Sequence, residues 1–296
     1  MKRAAIVIAV LGMCVGSVGQ DKAATQNPPT GQSAPAGQSA AAGQNAATTP
    51  PGKRPPQAKT QPEYEEYKAA IALTDPPAVE KAAGDFAAKY PDSELRVMLY
   101  KAAMGKYQQA NNADKMLEMA QKALTIDPDD PQALLGAAQV LAERTHDTDL
   151  DRDQKLAEAK KDAERALVTI DTDLPTTGYP PDQLAAFKAR SRSDAYAIIG
   201  TIAFNAKTWS EAETQLRKSV EADPQEPDPV SIFRLAVSLD MQNKIPEAMK
   251  YVDQAVDLTK DRPDSGVGKA ARDEKDRLVK LSGGTAPGQA AVPPKN

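Results

Sequence analysis

Apolar residues in the middle of this 296-residue chain recur in one fixed register, and that recurrence constrains the fold more than any other feature. Tyr100, Ala103, Met104, Tyr107, Met116, Ala120, Ala123 and Pro128 are answered 96 positions later by Tyr196, Ile199, Gly200, Ala203, Ala212, Leu216, Ser219 and Pro224. A shift of 132 from the first seven gives Ile232, Leu235, Ala236, Leu239, Ala248, Val252 and Ala255. Within each set the spacing follows one face of an α-helix and is interrupted by a short polar stretch: QANNAD, NAKTWSE or QNKIPE. Each unit therefore reads as a helix, a turn and a second helix. Such a unit cannot bury its apolar face alone, so the units must stack on one another. Gly200 and Ala236, at the position of Met104, let paired helices approach, while Ala123, Ser219 and Ala255 do the same between neighbours. Asp127-Pro128 and Asp223-Pro224 end their units, because proline lacks an amide hydrogen and disfavours helix in the residue before it.

This pattern resembles the tetratricopeptide repeat, and the recurrence in a single register makes the resemblance specific. Together with the leader-like start of the chain, it is similar to an exported bacterial type of that family. Tyr100, Tyr196 and Ile232 stand where the family places a tryptophan. Two further units are less regular. Residues 61–94 give YEEYKAAIAL, the turn TDPP and VEKAAGDFAAKYPDS, and residues 131–171 give PQALLGAAQVLAE and LAEAKKDAERALVTI joined by RTHDTDLDRDQK. The remaining units span about 97–130, 181–226 and 229–262, the helix of the fourth starting near Asp182 with Pro181 in its first turn. A polar helix, 267–281, caps the array. The resemblance implies an all-α, right-handed α-solenoid of about five hairpins, with a C-terminal capping helix and a disordered arm before it.

The ends differ from the middle. Residues 1–19, MKRAAIVIAVLGMCVGSVG, have a basic start, an apolar run and small residues at Ser17 and Gly19, which reads as a secretory signal peptide. Export to the periplasm or cell envelope is the expectation. The only cysteine, Cys14, lies inside this segment, so cleavage after Gly19 removes thiol chemistry from the mature chain. The alternative is lipidation of Cys14, which would make the chain a lipid-anchored envelope assembly factor and would be its only route to membrane contact. Residues 20–62 are rich in Gln, Ala, Pro and Gly, repeat GQSAPA, GQSAAA and GQNAAT, and read as a disordered linker whose removal should barely change folding. Residues 283–296 read as a similar tail. Between the two, residues 63–282 hold 30 Lys and Arg against 40 Asp and Glu, about −10, which argues against nucleic acid as a partner.

No Walker loop, G-x-G-x-x-G, G-x-S-x-G or H-E-x-x-H is present, and His146, the one histidine, lies in a polar loop without a partner histidine. The chain reads as a non-enzymatic protein with no catalytic residues and no cofactor. The stretch Asp147 to Glu158 places Asp147, Asp149, Asp151, Asp153 and Glu158 at the spacing of a calcium-binding loop, and a calcium-regulated module is a further alternative. Arg152 stands where such loops require glycine. A simpler use of the acids has Asp151 capping the following helix, Gln154 completing a capping box and Asp153 in the first turn.

The resemblance also implies that the first helix of each unit lines a concave groove that receives a protein or peptide partner. By register the groove residues are Lys101, Gln108, Gln109, Gln132, Gln139, Glu143, Asp194, Thr201, Asn205, Phe233, Arg234, Val237 and Asp240. Trp209 is expected to pack between repeats, and Lys160-Lys161 and Arg272 to Lys275 to be solvated helix faces.

Overall fold

The computed structural model describes residues 53–174 and 180–283. The expected signal peptide, Cys14, most of the arm and nearly all of the tail lie outside them. The described residues form eleven α-helices and no strand: α1 (Gln61–Ile71), α2 (Pro76–Lys89), α3 (Arg96–Gln109), α4 (Ala113–Ile126), α5 (Pro131–Arg144), α6 (Arg152–Thr172), α7 (Pro181–Asn205), α8 (Trp209–Ala222), α9 (Pro229–Asp240), α10 (Ile245–Leu258) and α11 (Gly266–Leu281).

Local chemistry sets the helix starts. Thr60, Asp75, Asn112, Asp130, Asp228 and Ser265 each accept a backbone N–H from the first turn they precede. Proline occupies the opening of α1, α2, α5, α7, α9 and α10, where its missing N–H costs nothing. The turns between paired helices repeat as strictly as the apolar register. Asn111, Lys207 and Asn243, spaced by 96 and then 36 residues, take left-handed φ values of 55°, 58° and 59°. The next amide in each turn, Asn112, Thr208 or Lys244, donates to the carbonyl five residues back, Tyr107, Ala203 or Leu239. These are three copies of one Schellman closure, which satisfies carbonyls that the helix end would leave unpaired.

Packing follows the small residues. Ala103, Ala120, Ala123, Ala138, Ala163, Ala166, Ala236, Ala248 and Ala255 are fully buried. Gly200 lies so close to α8 that an added Cβ would fall 2.8 Å from Leu216 Cγ. Met104, at the equivalent position, instead reaches into the next unit, where a Cβ on Gly136 would fall 2.6 Å from its sulfur. Consecutive helices pack in sequence order, and each first helix also packs on the first helix of the next unit: α1 on α3, α3 on α5, α5 on α7 and α7 on α9. No two second helices pack on each other to a comparable extent. The stack therefore curves with its first helices on the inside. Helix α11 lies against both α9 and α10 and closes the last apolar face with Ala271 and Leu278.

Residues 53–60 depart from the expectation of a free linker. They carry no apolar stripe, but their polar groups fasten them across three units. The Lys53 amide donates to the Thr172 carbonyl at the end of α6 (3.0 Å), and its ammonium pairs with Asp127 after α4 (2.5 Å) and Asp173 (3.7 Å). Both pairings set a cation beside helix C-termini, where the dipole favours it. Arg54 grips Glu94 ahead of α3, and Lys59 donates its amide to Glu63 (2.7 Å). Glu63 is only 2% exposed and also accepts Ser93 Oγ. Burial would raise its pKa, but the Ser93 and backbone donors outweigh that and hold it below the usual carboxylate range.

Candidate functional site

The curvature places the inner faces of α5, α7 and α9 around a cavity of about 100 Å³. Leu135, Ala142, Ala197, Ile198 and Val230 supply apolar wall, and Gln139, Glu143, Asp194, Thr201, Asp228, Ser231 and Arg234 supply the polar groups. Each of the three helices contributes because one face of a first helix repeats every three to four residues. Thus Leu135, Gln139, Ala142 and Glu143 line one wall, Asp194, Ala197, Ile198 and Thr201 the next, and Val230, Ser231 and Arg234 the third.

Charge in this cavity is incompletely matched. Arg234 Nη1 donates to the buried Thr201 hydroxyl (2.8 Å), and burial holds the guanidinium below its ordinary pKa, with Glu143 and Asp228 acting against that. Among the described residues no carboxylate lies within ion-pair distance of Arg234. Asp194 accepts no hydrogen bond from the described residues, and Arg190 Nε is its only ion-pair partner among them, at 3.4 Å. That arginine is committed elsewhere, since its Nη1 donates to the Glu226 carbonyl (3.1 Å) while its Nε is buried without a hydrogen-bond partner. Burial pushes the Asp194 carboxyl up to about 6; Arg190 lowers it, and Asp228 and Asp223 raise it further. Asp228 is occupied with capping α9, accepting the Ser231 amide and hydroxyl at 2.8 Å each.

Of the groove residues expected from the register, Gln139, Glu143, Asp194, Thr201 and Arg234 meet in this cavity. The others do not line it. Lys101 is turned into an ion pair with Asp130 (2.7 Å) with side chains 13% and 9% exposed, so it is a bond between units rather than a free contact. Asp240 is buried against Arg277 of the capping helix, which withdraws it from the groove. Gln108 has its amide nitrogen buried without a partner, Phe233 packs against the core of the last units, and Gln109 and Asn205 are exposed. Gln132 and Val237 are half-buried. The register missed Asp228, Val230 and Ser231, whose cue is the Asp-Pro cap that starts α9.

The acidic loop is used internally. Asp151 occupies the N-cap position of α6, but its side chain makes no capping hydrogen bond and pairs with Lys155 (3.0 Å), so the expected capping box does not form. Arg152 bridges Asp147 (3.1 Å) and Asp153 (2.8 Å), and Asp149 accepts the His146 amide (3.2 Å). Glu158 is exposed on α6. Among the described residues no group of three or more His, Cys, Asp or Glu could hold a metal ion, and no helix is long and apolar enough to cross a membrane. Trp209 sets its ring edge-on to Phe204 at 5.5 Å, and Gln242 of the next unit donates to its carbonyl (3.2 Å).

The hairpins, their repeated Schellman turns and the stacking of inner helices decide the architecture. The chain is a helical repeat protein built of stacked α-helical hairpins. No protein-family model matches it, and no curated protein does. Among solved structures, a thermophilic tetratricopeptide repeat protein of Thermus thermophilus is 13% identical, covering 74% of this chain and 100% of its own with a TM-score of 0.42. The assembly chaperone of RpL4 (residues 1–338) is 15% identical, with 75% and 99% covered and a TM-score of 0.36. YrrB, described as a tetratricopeptide repeat protein with an unusual peptide-binding site, is 18% identical, with 64% and 99% covered and a TM-score of 0.25.

Proposed function

We propose that this chain is a non-enzymatic scaffold that holds a peptide segment or helix of another protein in the groove of α5, α7 and α9. One observation carries the reading: Asp194 is largely buried on the cavity wall, yet it accepts no hydrogen bond from the described residues and has only Arg190, at 3.4 Å, as an ion-pair partner among them. A partner that enters the cavity can supply the missing donors and gain the energy that burial has withheld. Photo-crosslinking tests this. A benzophenone side chain placed at Gln139 or Glu143, on the cavity rim, should capture a discrete protein in the native cells, and the same group at Lys218 on α8 should not. Capture from position 218 alone would move binding to the outer face. Capture from none of these positions would refute the groove reading.

Export to the cell envelope is part of this proposal. It is supported by the basic, apolar and small-residue run of residues 1–19 and by a domain charge unsuited to nucleic acid. Intact mass of the native protein tests it: a mature chain beginning at Gln20 agrees, whereas retention of residues 1–19 contradicts it. A diacyl group on Cys14 would assign the chain to the lipid-anchored class instead.

A further inference from the structure

The cavity on the inner face also has a sign. Four carboxylates converge on it or stand just behind it: Glu143 from α5, Asp194 from α7, Asp223 from the end of α8 and Asp228 from the start of α9. Arg190 and Arg234 are the two cations facing them. Glu143 and Asp228 act on Arg234 from beyond ion-pair distance, and Arg190 donates its Nη1 to the Glu226 carbonyl while its Nε stands 3.4 Å from Asp194 without a hydrogen bond. What remains is Asp194, a carboxylate on the wall of the cavity with a side chain 14% exposed and no hydrogen-bond donor among the described residues. A carboxylate so placed is stabilised by a charged donor whose hydrogen bonds to it offset the cost of taking both groups out of water. The volume, about 100 Å³, suits one side-chain head rather than a whole peptide.

We propose that this cavity is a subsite for one lysine or arginine side chain of the bound peptide, with Asp194 as the acceptor. The inference rests on the groove reading and adds a chemical class to it. The apolar wall of Leu135, Ala142 and Ile198 packs the aliphatic stem, and the head group meets Asp194 with Glu143 at the rim. Long-range charge works in the same direction, because residues 63–282 carry 40 acids against 30 bases and draw a basic segment toward the groove.

Four blocked alanine pentapeptides, with a central arginine, lysine, glutamine or glutamate, serve as probes against the full-length chain, with amide chemical shifts as the readout. The arginine and lysine peptides should shift the amides of Asp194, Thr201, Ser231 and Arg234 saturably, at least tenfold more tightly than the glutamine and glutamate peptides. Asp194→Asn should weaken the basic peptides at least tenfold. Glu221→Gln, which removes an equal charge from an exposed site on α8, should change their affinity less than twofold. Equal or tighter binding of the glutamate peptide overturns the proposal, as does an unchanged affinity in Asp194→Asn. Crosslinks from Gln139 or Glu143 without any binding of the basic peptides would overturn this subsite alone and leave the groove reading standing.

Discussion

Replacing Asp194 by asparagine should stabilise the protein at neutral pH, because the native state holds this carboxylate in an environment that disfavours its charge. Its pKa is raised from 3.8 to about 6, burial first, with Asp228 and Asp223 adding to it and Arg190 opposing. Arg234 from α9 and Glu143 from α5 share the cavity with it. The sign follows from linkage. An acid whose folded pKa lies above its unfolded value costs nothing below about pH 4, where both states are protonated. The cost grows as the pH rises through about 4 to 6, where the unfolded chain releases its proton first, and is complete above that. A rise of about two units corresponds to about 3 kcal/mol. Asparagine keeps the shape and cannot ionise, but its amide inherits an underbonded site, so about 2 kcal/mol of gain at pH 7 is expected. In a domain of this size that is about 4–8 °C in Tm. Urea unfolding followed by circular dichroism at pH 4 and pH 7 measures it. The variant and the natural protein should agree at pH 4 and separate at pH 7. An asparagine variant that is less stable at pH 7, or a difference that does not depend on pH, would refute the reasoning.

Three other perturbations test the fold. Lys207→Gly relieves a non-glycine side chain at φ 58° and should raise stability by about 0.5–1 kcal/mol in the same unfolding assay, whereas the equivalent change at Asn111 should gain less. Gly200→Ala sets a methyl 2.8 Å from Leu216 Cγ and 3.3 Å from the Leu216 amide nitrogen, and should lower stability by about 1–3 kcal/mol. Deleting residues 20–60 removes the Lys53 amide bond to Thr172 and its ion pairs at the ends of α4 and α6. The lost hydrogen bond alone is worth about 1 kcal/mol, so Tm should fall by about 2–4 °C, whereas deleting 20–52 should leave it unchanged.

The helices were legible because two independent signals agree in the sequence: apolar residues in register, and Asp-Pro or Asn-Ala pairs at the joints. The left-handed turn residues were also within reach, since Asn111 and Asn243 fall at one repeat position, although Lys207 carries no such signal. The strap of residues 53–60 was not legible. It buries no apolar stripe and is held by polar groups whose partners lie as much as 120 residues away, as with Lys53 and Asp173. Distance in sequence also explains why two of the expected groove residues are engaged within the fold. Lys101 and Asp240 occupy groove positions by spacing, but Asp130 lies 29 residues from the first and Arg277 lies 37 from the second, and each neutralises its partner. The capping box at Asp151 failed for a local reason, because Lys155 one turn on offers a charged partner at 3.0 Å. Asp194 lines the cavity between α5, α7 and α9. Its raised pKa comes first from burial, with Asp228 and Asp223 adding to it from the joint between α8 and α9, and no spacing on α7 reveals either.

The inner surface of α5, α7 and α9 is the surface proposed to hold the partner. Hydrogen exchange of the full chain, with and without the partner recovered by crosslinking, addresses that surface directly. Slowed exchange in α5, α7 and α9 is expected on binding, with α4, α8 and α10 unchanged. Protection confined to the second helices, or to residues before Gln61, would contradict it.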